Sequence, residues 1–193
     1  MILVIDIGYQ QIYRLTDTID LYDDFKTISL YDFTKERLEE LEPQGIIISH
    51  GSIAVHDIST DQYINQLTPL KEITVPILGI GTGHHLLGLL FESQSVYAPY
   101  VNDLITVGLI EDEDPLFNKL PLDVEFITDH TSSITIPPSF KLLASSDGSI
   151  NEVMKHQDLP FYGVQFLPER SGNYGAIIIE NFVEISTQSR LIK

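Results

Sequence analysis

The sequence has 193 residues, 43% of them hydrophobic and 20% charged, and its 11 Lys and Arg against 28 Asp and Glu give a formal net charge of −17 at pH 7. That length and apolar content argue for a single folded domain over residues 1–193 and against intrinsic disorder, while the acidity argues against a nucleic-acid backbone or an anionic membrane surface as partner. The chain contains no cysteine, which excludes disulfides, thiolate catalysis and Cys-based zinc sites.

The chain opens on Met-Ile-Leu-Val-Ile-Asp, with no basic segment and no cleavage site. It reads as a buried first strand rather than a signal peptide. No apolar run approaches the roughly 20 residues a membrane span needs, so a cytoplasmic protein is expected. Apolar runs at residues 2–5, 45–49 and 77–80 read as strands buried on both faces. Helical stretches at 10–21, 34–41 and 60–70 separate them. Strands alternating with helices imply βαβ units, right-handed crossovers and a parallel sheet covered on both sides. After Phe91 the pattern changes to short alternating strands at 96–99, 104–109, 124–128, 133–136, 141–145 and 150–155. Turn signals such as Pro137-Pro138 and Ser146-Asp147-Gly148 lie between them. The acidic run Glu111–Asp114 reads as a solvated loop entering a short helix, with no special role. Residues 161–166 return to a buried strand, and a helix over 175–185 closes the chain. The expected fold is α/β: a flavodoxin-like three-layer open parallel sheet with a small antiparallel β extension.

Residues 78–85 read Leu-Gly-Ile-Gly-Thr-Gly-His-His directly after Val75-Pro76-Ile77. This is the strand–turn–helix layout of a nucleophile elbow, in which a sharp turn lifts one side chain into the open. Its apex is Gly81, which has no side chain to lift. Ligands of open α/β sheets bind outside the carboxyl ends of the strands. Three segments are expected there: Ser49-His50-Gly51-Ser52, Gly81–His85, and Leu167-Pro168-Glu169.

In order and spacing these segments resemble the class I glutamine amidotransferases, and most of all the glutaminase subunit or domain of GMP synthetase. The likeness runs from Ile2 to about residue 185. Ile-Leu-Val-Ile-Asp-Ile-Gly-Tyr-Gln at 2–10 is similar to the family's opening strand and turn. Residues 45–52 resemble the oxyanion-loop segment and 76–85 the elbow. Asp129-His130 falls where a Ser-His loop stands, and 162–169 resembles Tyr-Gly-Val-Gln-Phe-His-Pro-Glu. The family uses a Cys–His–Glu triad to hydrolyse glutamine. The resemblance equates Gly81 with the Cys, Leu167 with the His, and Glu169 with the Glu, so only Glu169 keeps its type. It therefore implies a degenerate glutaminase without glutaminase activity, with a binding or regulatory role. The pocket-lining candidates are His50, Gly51, Ser52, Thr82, His85 and His130. The implied partners are a separate synthetase-type protein, glutamine or a similar small amide or amino acid, and a second copy of the chain. No cofactor and no resident metal are expected. Two alternatives stay open. One is an active glutamine amidotransferase. The other is a His-based enzyme, in which His50, His85 and His130 converge and could hold zinc.

Overall fold

A computed structural model describes residues 1–51 and 60–191, with side chains to residue 189. Strands β1 (Ile2–Asp6), β2 (Phe25–Ser29), β3 (Gly45–Ile48), β4 (Ile77–Ile80), β5 (Ser95–Leu109), β6 (Asp123–Ile134), β7 (Phe140–Ser145), β8 (Val153–His156) and β9 (Phe161–Val164) form one sheet in the order β2-β1-β3-β4-β9-β8-β7-β5-β6. The strands from β2 to β9 in that order are parallel, and those from β8 to β6 are antiparallel. Helices α1 (Ile12–Ile19), α2 (Lys35–Leu41), α3 (Thr60–Leu67), α4 (Thr82–Leu90) and α5 (Gly172–Leu191) cover it.

The apolar runs make the parallel half. Successive strand residues point to opposite faces, so a strand covered on both sides carries no polar alternation. In β1, Ile2 and Val4 join one core with Leu15 of α1 and Ile178 and Phe182 of α5. Leu3 and Ile5 join the other, with Leu38 of α2, Leu67 of α3 and Leu86 of α4. Those two cores separate the three layers.

The structure departs from the sequence reading at several elements. Residues 25–29, which show no clear strand pattern, form the edge strand β2, where Phe25-Lys26-Thr27 is half polar because only part of it meets the core. The expected strands 96–99 and 104–109 are one strand, β5, and 124–128 joins the start of 133–136 in one strand, β6, which ends at Ile134. Polar residues such as Asn102, Asp103, Asp129 and Thr131 suggest turns there, but they run along a continuous hairpin whose register breaks once, between Tyr97 and Val101. The helix expected over 60–70 gives way at Thr68 to a short 3₁₀ turn containing Pro69, and the last helix is longer than the predicted 175–185.

The acidic run is not wholly solvated. Asp114 caps the turn Pro115–Phe117 by accepting from the Leu116 N–H at 3.1 Å. Its other oxygen pairs with Lys155 Nζ at 2.7 Å, with the Asp114 side chain 4% exposed. Among the described residues no helix is long and apolar enough to cross a membrane.

Candidate functional site

Strands β3, β4 and β9 are neighbours, so their carboxyl ends bring His50, Gly81 and Leu167 together. Gly81 turns β4 into α4 at φ 55° and ψ −111°, a conformation that disfavours a Cβ. Its N–H donates to the Val164 carbonyl at 2.8 Å, which holds the turn against β9. A Cβ at Gly81 would lie 2.5 Å from His50 Nδ1 and 2.9 Å from Leu167 Cδ2. The space in front of the apex is thus taken by an imidazole and a leucine. Gly51 lets the chain after His50 pass against β1, since a Cβ there would meet the Ile7 carbonyl oxygen at 2.7 Å.

His50 is fixed from several sides. Its Nδ1 accepts from the Thr82 backbone N–H at 3.3 Å. The Thr82 hydroxyl lies 3.2 Å from the same nitrogen and donates its proton to the Gly51 carbonyl at 2.8 Å. The Tyr9 ring packs edge-on against the imidazole with centroids 5.1 Å apart. Burial pushes the His50 imidazole down to about 4; Asp129 opposes the shift, and Arg170 and His130 add to it. His50 is therefore neutral near pH 7. With Nδ1 accepting, the ring hydrogen sits on Nε2. The result is an alcohol beside an imidazole, the layout of a nucleophile and base. Here the alcohol proton is already committed and the imidazole is a weak base.

Leu167 is fully buried, and its N–H donates to the Ile127 carbonyl at 2.8 Å. Glu169 follows in the turn Pro168–Arg170. Both of its carboxyl oxygens and the Tyr9 hydroxyl are buried without a hydrogen bond. The two groups face each other closely enough to perturb one another's ionisation, yet outside hydrogen-bonding geometry. Burial pushes Glu169 up to about 7, against the opposing pull of Tyr9, Arg170 and Arg14. Burial, then Glu169, raise the Tyr9 hydroxyl in turn. Arg170 pairs with Asp129 at 3.0 Å and reaches Asn102 at 3.3 Å, which ties this turn to the β5–β6 hairpin.

The remaining candidates divide. Thr82 belongs to the His50 cluster. His130 sits on β6 opposite Val101, its basicity lowered by burial against Asp129. His85 does not face an open mouth. It is 2% exposed, and its Nε2 lies 3.3 Å from Gln165 Oε1 in the interior. Ser52 lies outside the described residues. Among the described residues no group of three or more His, Asp or Glu is arranged to hold a metal ion. The zinc-holding arrangement of His50, His85 and His130 is thus not found among the described residues, where His85 lies beside Gln165. Tyr9 enters the sequence analysis only as part of the opening strand and turn, and Gln165 and the Asp129–Arg170 pair are not singled out there. The Tyr-Gly-Val-Gln run is the one available signal for Gln165.

Comparison with known proteins points one way. The family model for glutamine amidotransferase class-I matches residues 3–185. A glutamine-hydrolyzing GMP synthase subunit of Pyrococcus furiosus is 34% identical over 190 residues, covering 96% of this chain and 98% of that protein. The glutamine-hydrolyzing GMP synthase of Bacillus subtilis is 31% identical over 189 residues, covering 95% of this chain and 36% of that longer protein. Among solved structures, a protein assigned as a GMP synthase subunit from Thermoplasma acidophilum superposes with a TM-score of 0.86 at 27% identity, covering 99% of this chain and 96% of that one.

Proposed function

This chain belongs to the class-I glutamine amidotransferase family, and from that premise we propose that it is a member without glutamine hydrolysis, working in a binding or regulatory role. The observation that carries this reading is the crowding at Gly81. The position equated with the nucleophile has no side chain, and His50 Nδ1 and Leu167 Cδ2 stand where one would begin. The backbone N–H of Thr82, next to the apex, would serve an oxyanion, and His50 already takes it. Leu167, equated with the catalytic His, can neither accept nor donate a proton. In an unrelated hydrolase, loss of the nucleophile alone lowers turnover about a million-fold. Glu169 remains as a buried carboxyl without the imidazole it would orient.

Relatives of the same length that are named as one subunit of GMP synthase support a partner for this chain, a separate synthetase-type polypeptide. We assign the whole chain, residues 1–193, to this role as one glutaminase-like domain of the cytoplasm, with glutamine or a similar small amide as the pocket's ligand class. The test is reconstitution with the synthetase-type polypeptide from the same organism. The two chains co-elute in gel filtration, and the complex supports synthesis with ammonium but not with glutamine. Synthesis driven by glutamine overturns the reading.

One observation favours a second reading, a Thr82–His50 pair acting as nucleophile and base. Their atoms lie 3.2 Å apart. That reading requires a hydrolysis that Thr82→Ala and His50→Ala each abolish.

A further inference from the structure

A cleft of about 230 Å³ lies at the carboxyl ends of β1 and β2. The sheet order places β3 between it and Gly81. The cleft is smaller than the cavities that take drug-sized ligands and has room for a group of a few heavy atoms. Asp6 ends β1 and Ser29 ends β2, opposite each other in register. The chain then turns at Gly8, whose φ of 91° suits a residue without a Cβ. Asp6 Oδ1 accepts from the Gly8 and Tyr9 N–H groups at 2.9 and 3.0 Å, which fixes the carboxylate in the lining of the cleft.

Two aromatic rings complete the lining. Tyr31 follows β2 in the turn Leu30–Asp32, and Tyr63 lies on α3. Their centroids are 6.3 Å apart at 57°, and their hydroxyls only 3.4 Å apart. The rings therefore lean together at their hydroxyl tips and spread toward their backbones. The polar side chains of the lining are all acceptors of a cation or a proton: one carboxylate, the Ser29 hydroxyl and two phenols. No Lys, Arg or His lines the cleft, and Asp6 has no ion-pair partner among the described residues. The Gly8 N–H is spent on Asp6, and the Tyr31 N–H on Ser29 Oγ at 3.3 Å.

We propose that this cleft binds a small organic cation, an alkylated ammonium group set between the Asp6 carboxylate and the Tyr31 and Tyr63 rings. A ring face attracts a cation through its quadrupole, and recognition of quaternary ammonium by paired aromatics is the established use of that attraction. The lining offers an anion no free donor and repels it through Asp6. Ile7 and Leu30 give the alkyl groups apolar contact. The net charge of −17 draws cations to the whole surface, so the rings and not the charge alone supply selectivity. The site does not depend on the reading of Gly81.

The test is a titration of the full chain, labelled with 15N and with 13C in its tyrosine rings, at about 0.15 M salt, where attraction to the surface at large is screened. The probe is choline. The control is its neutral isostere, with a quaternary carbon in place of the nitrogen. Choline is expected to give saturable shifts centred on the Tyr31 and Tyr63 rings and the Asp6–Gly8 amides, with a dissociation constant on the order of 1 mM. The isostere should bind at least about fivefold more weakly, the difference that two partly exposed rings impose on a cation. Tyr31 is 70% exposed, so Tyr31→Leu should leave the fold intact and bring the two probes toward equal affinity. Asp6→Asn keeps an acceptor for the Gly8 and Tyr9 N–H groups and should weaken choline alone. The comparison of the probes on the unmodified chain stands even if either variant fails to fold. Shifts that do not saturate, shifts spread over the acidic surface, equal binding of the two probes, or choline binding unchanged by Tyr31→Leu would overturn the proposal.

Discussion

Replacing Gly81 with alanine puts a methyl group into space already held by His50 and Leu167. The new carbon would lie 2.5 Å from His50 Nδ1 and 2.9 Å from Leu167 Cδ2, on a backbone at φ 55° and ψ −111°. Holding a side chain in so sparsely populated a region costs about 1–3 kcal/mol. Overpacking a filled site adds about 1–3 kcal/mol. Together they destabilise Gly81→Ala by roughly 2–6 kcal/mol, which for a chain of this size lowers Tm by roughly 4–24 °C. Scanning calorimetry reads the midpoint and urea unfolding reads the free energy. Combining Gly81→Ala with His50→Gly removes the closer of the two clashes and leaves the Leu167 contact and the backbone strain. The double-mutant cycle should therefore show a favourable coupling of about 1–3 kcal/mol. A Gly81→Ala variant within about 0.5 kcal/mol of the parent, or a cycle without coupling, would refute the placement of His50 in front of the apex.

Four further outcomes are expected. Glu169 and Glu152 are both raised by burial to about 7. Each holds its proton more tightly folded than unfolded, so their contribution is full below the ordinary carboxyl range and is lost as pH rises through 7. Glu169→Gln should flatten the fall in unfolding free energy between pH 5 and 8 by about 1–3 kcal/mol, as read by urea titrations across that range. His50, pushed down to about 4, should show a neutral ring with Nδ1 as acceptor from pH 8 to 5 in 15N imidazole NMR, and its share of stability is lost only as pH falls from 6.5 toward 4. Lys155→Met leaves the buried Asp114 carboxylate unpaired and should cost about 3 kcal/mol in urea unfolding, of which Asp114→Asn in the same chain restores part. Gly81→Cys with Leu167→His should stay inactive in an ammonia-release assay while His50 is present, and should gain glutamine hydrolysis only when His50→Gly is added.

The parallel half of the fold was legible because strands covered on both faces must be apolar throughout, as Gly45–Ile48 and Ile77–Ile80 are. The edge strand β2 was not, because Lys26 and Thr27 face solvent and leave no run to read. The β5–β6 hairpin was split in the sequence reading because Asn102, Asp129 and their neighbours suit turns as well as solvated strands. Here Arg170, from a distant turn, engages both of them. The elbow was legible from glycine spacing. That His50 fills it was not, since the contact joins the ends of β3 and β4 and no local pattern encodes it. The partner of His85 was hidden for a similar reason. That partner, Gln165, lies 80 residues away.

The most direct measurement is hydrolysis of glutamine labelled with 15N in its side-chain amide, followed by NMR for free ammonium, with the chain alone and in complex with its synthetase-type partner. No ammonium above the uncatalysed background is the predicted result in both samples. Ammonium release that scales with the amount of this chain would contradict it and would show that glutamine is hydrolysed without a side chain at Gly81.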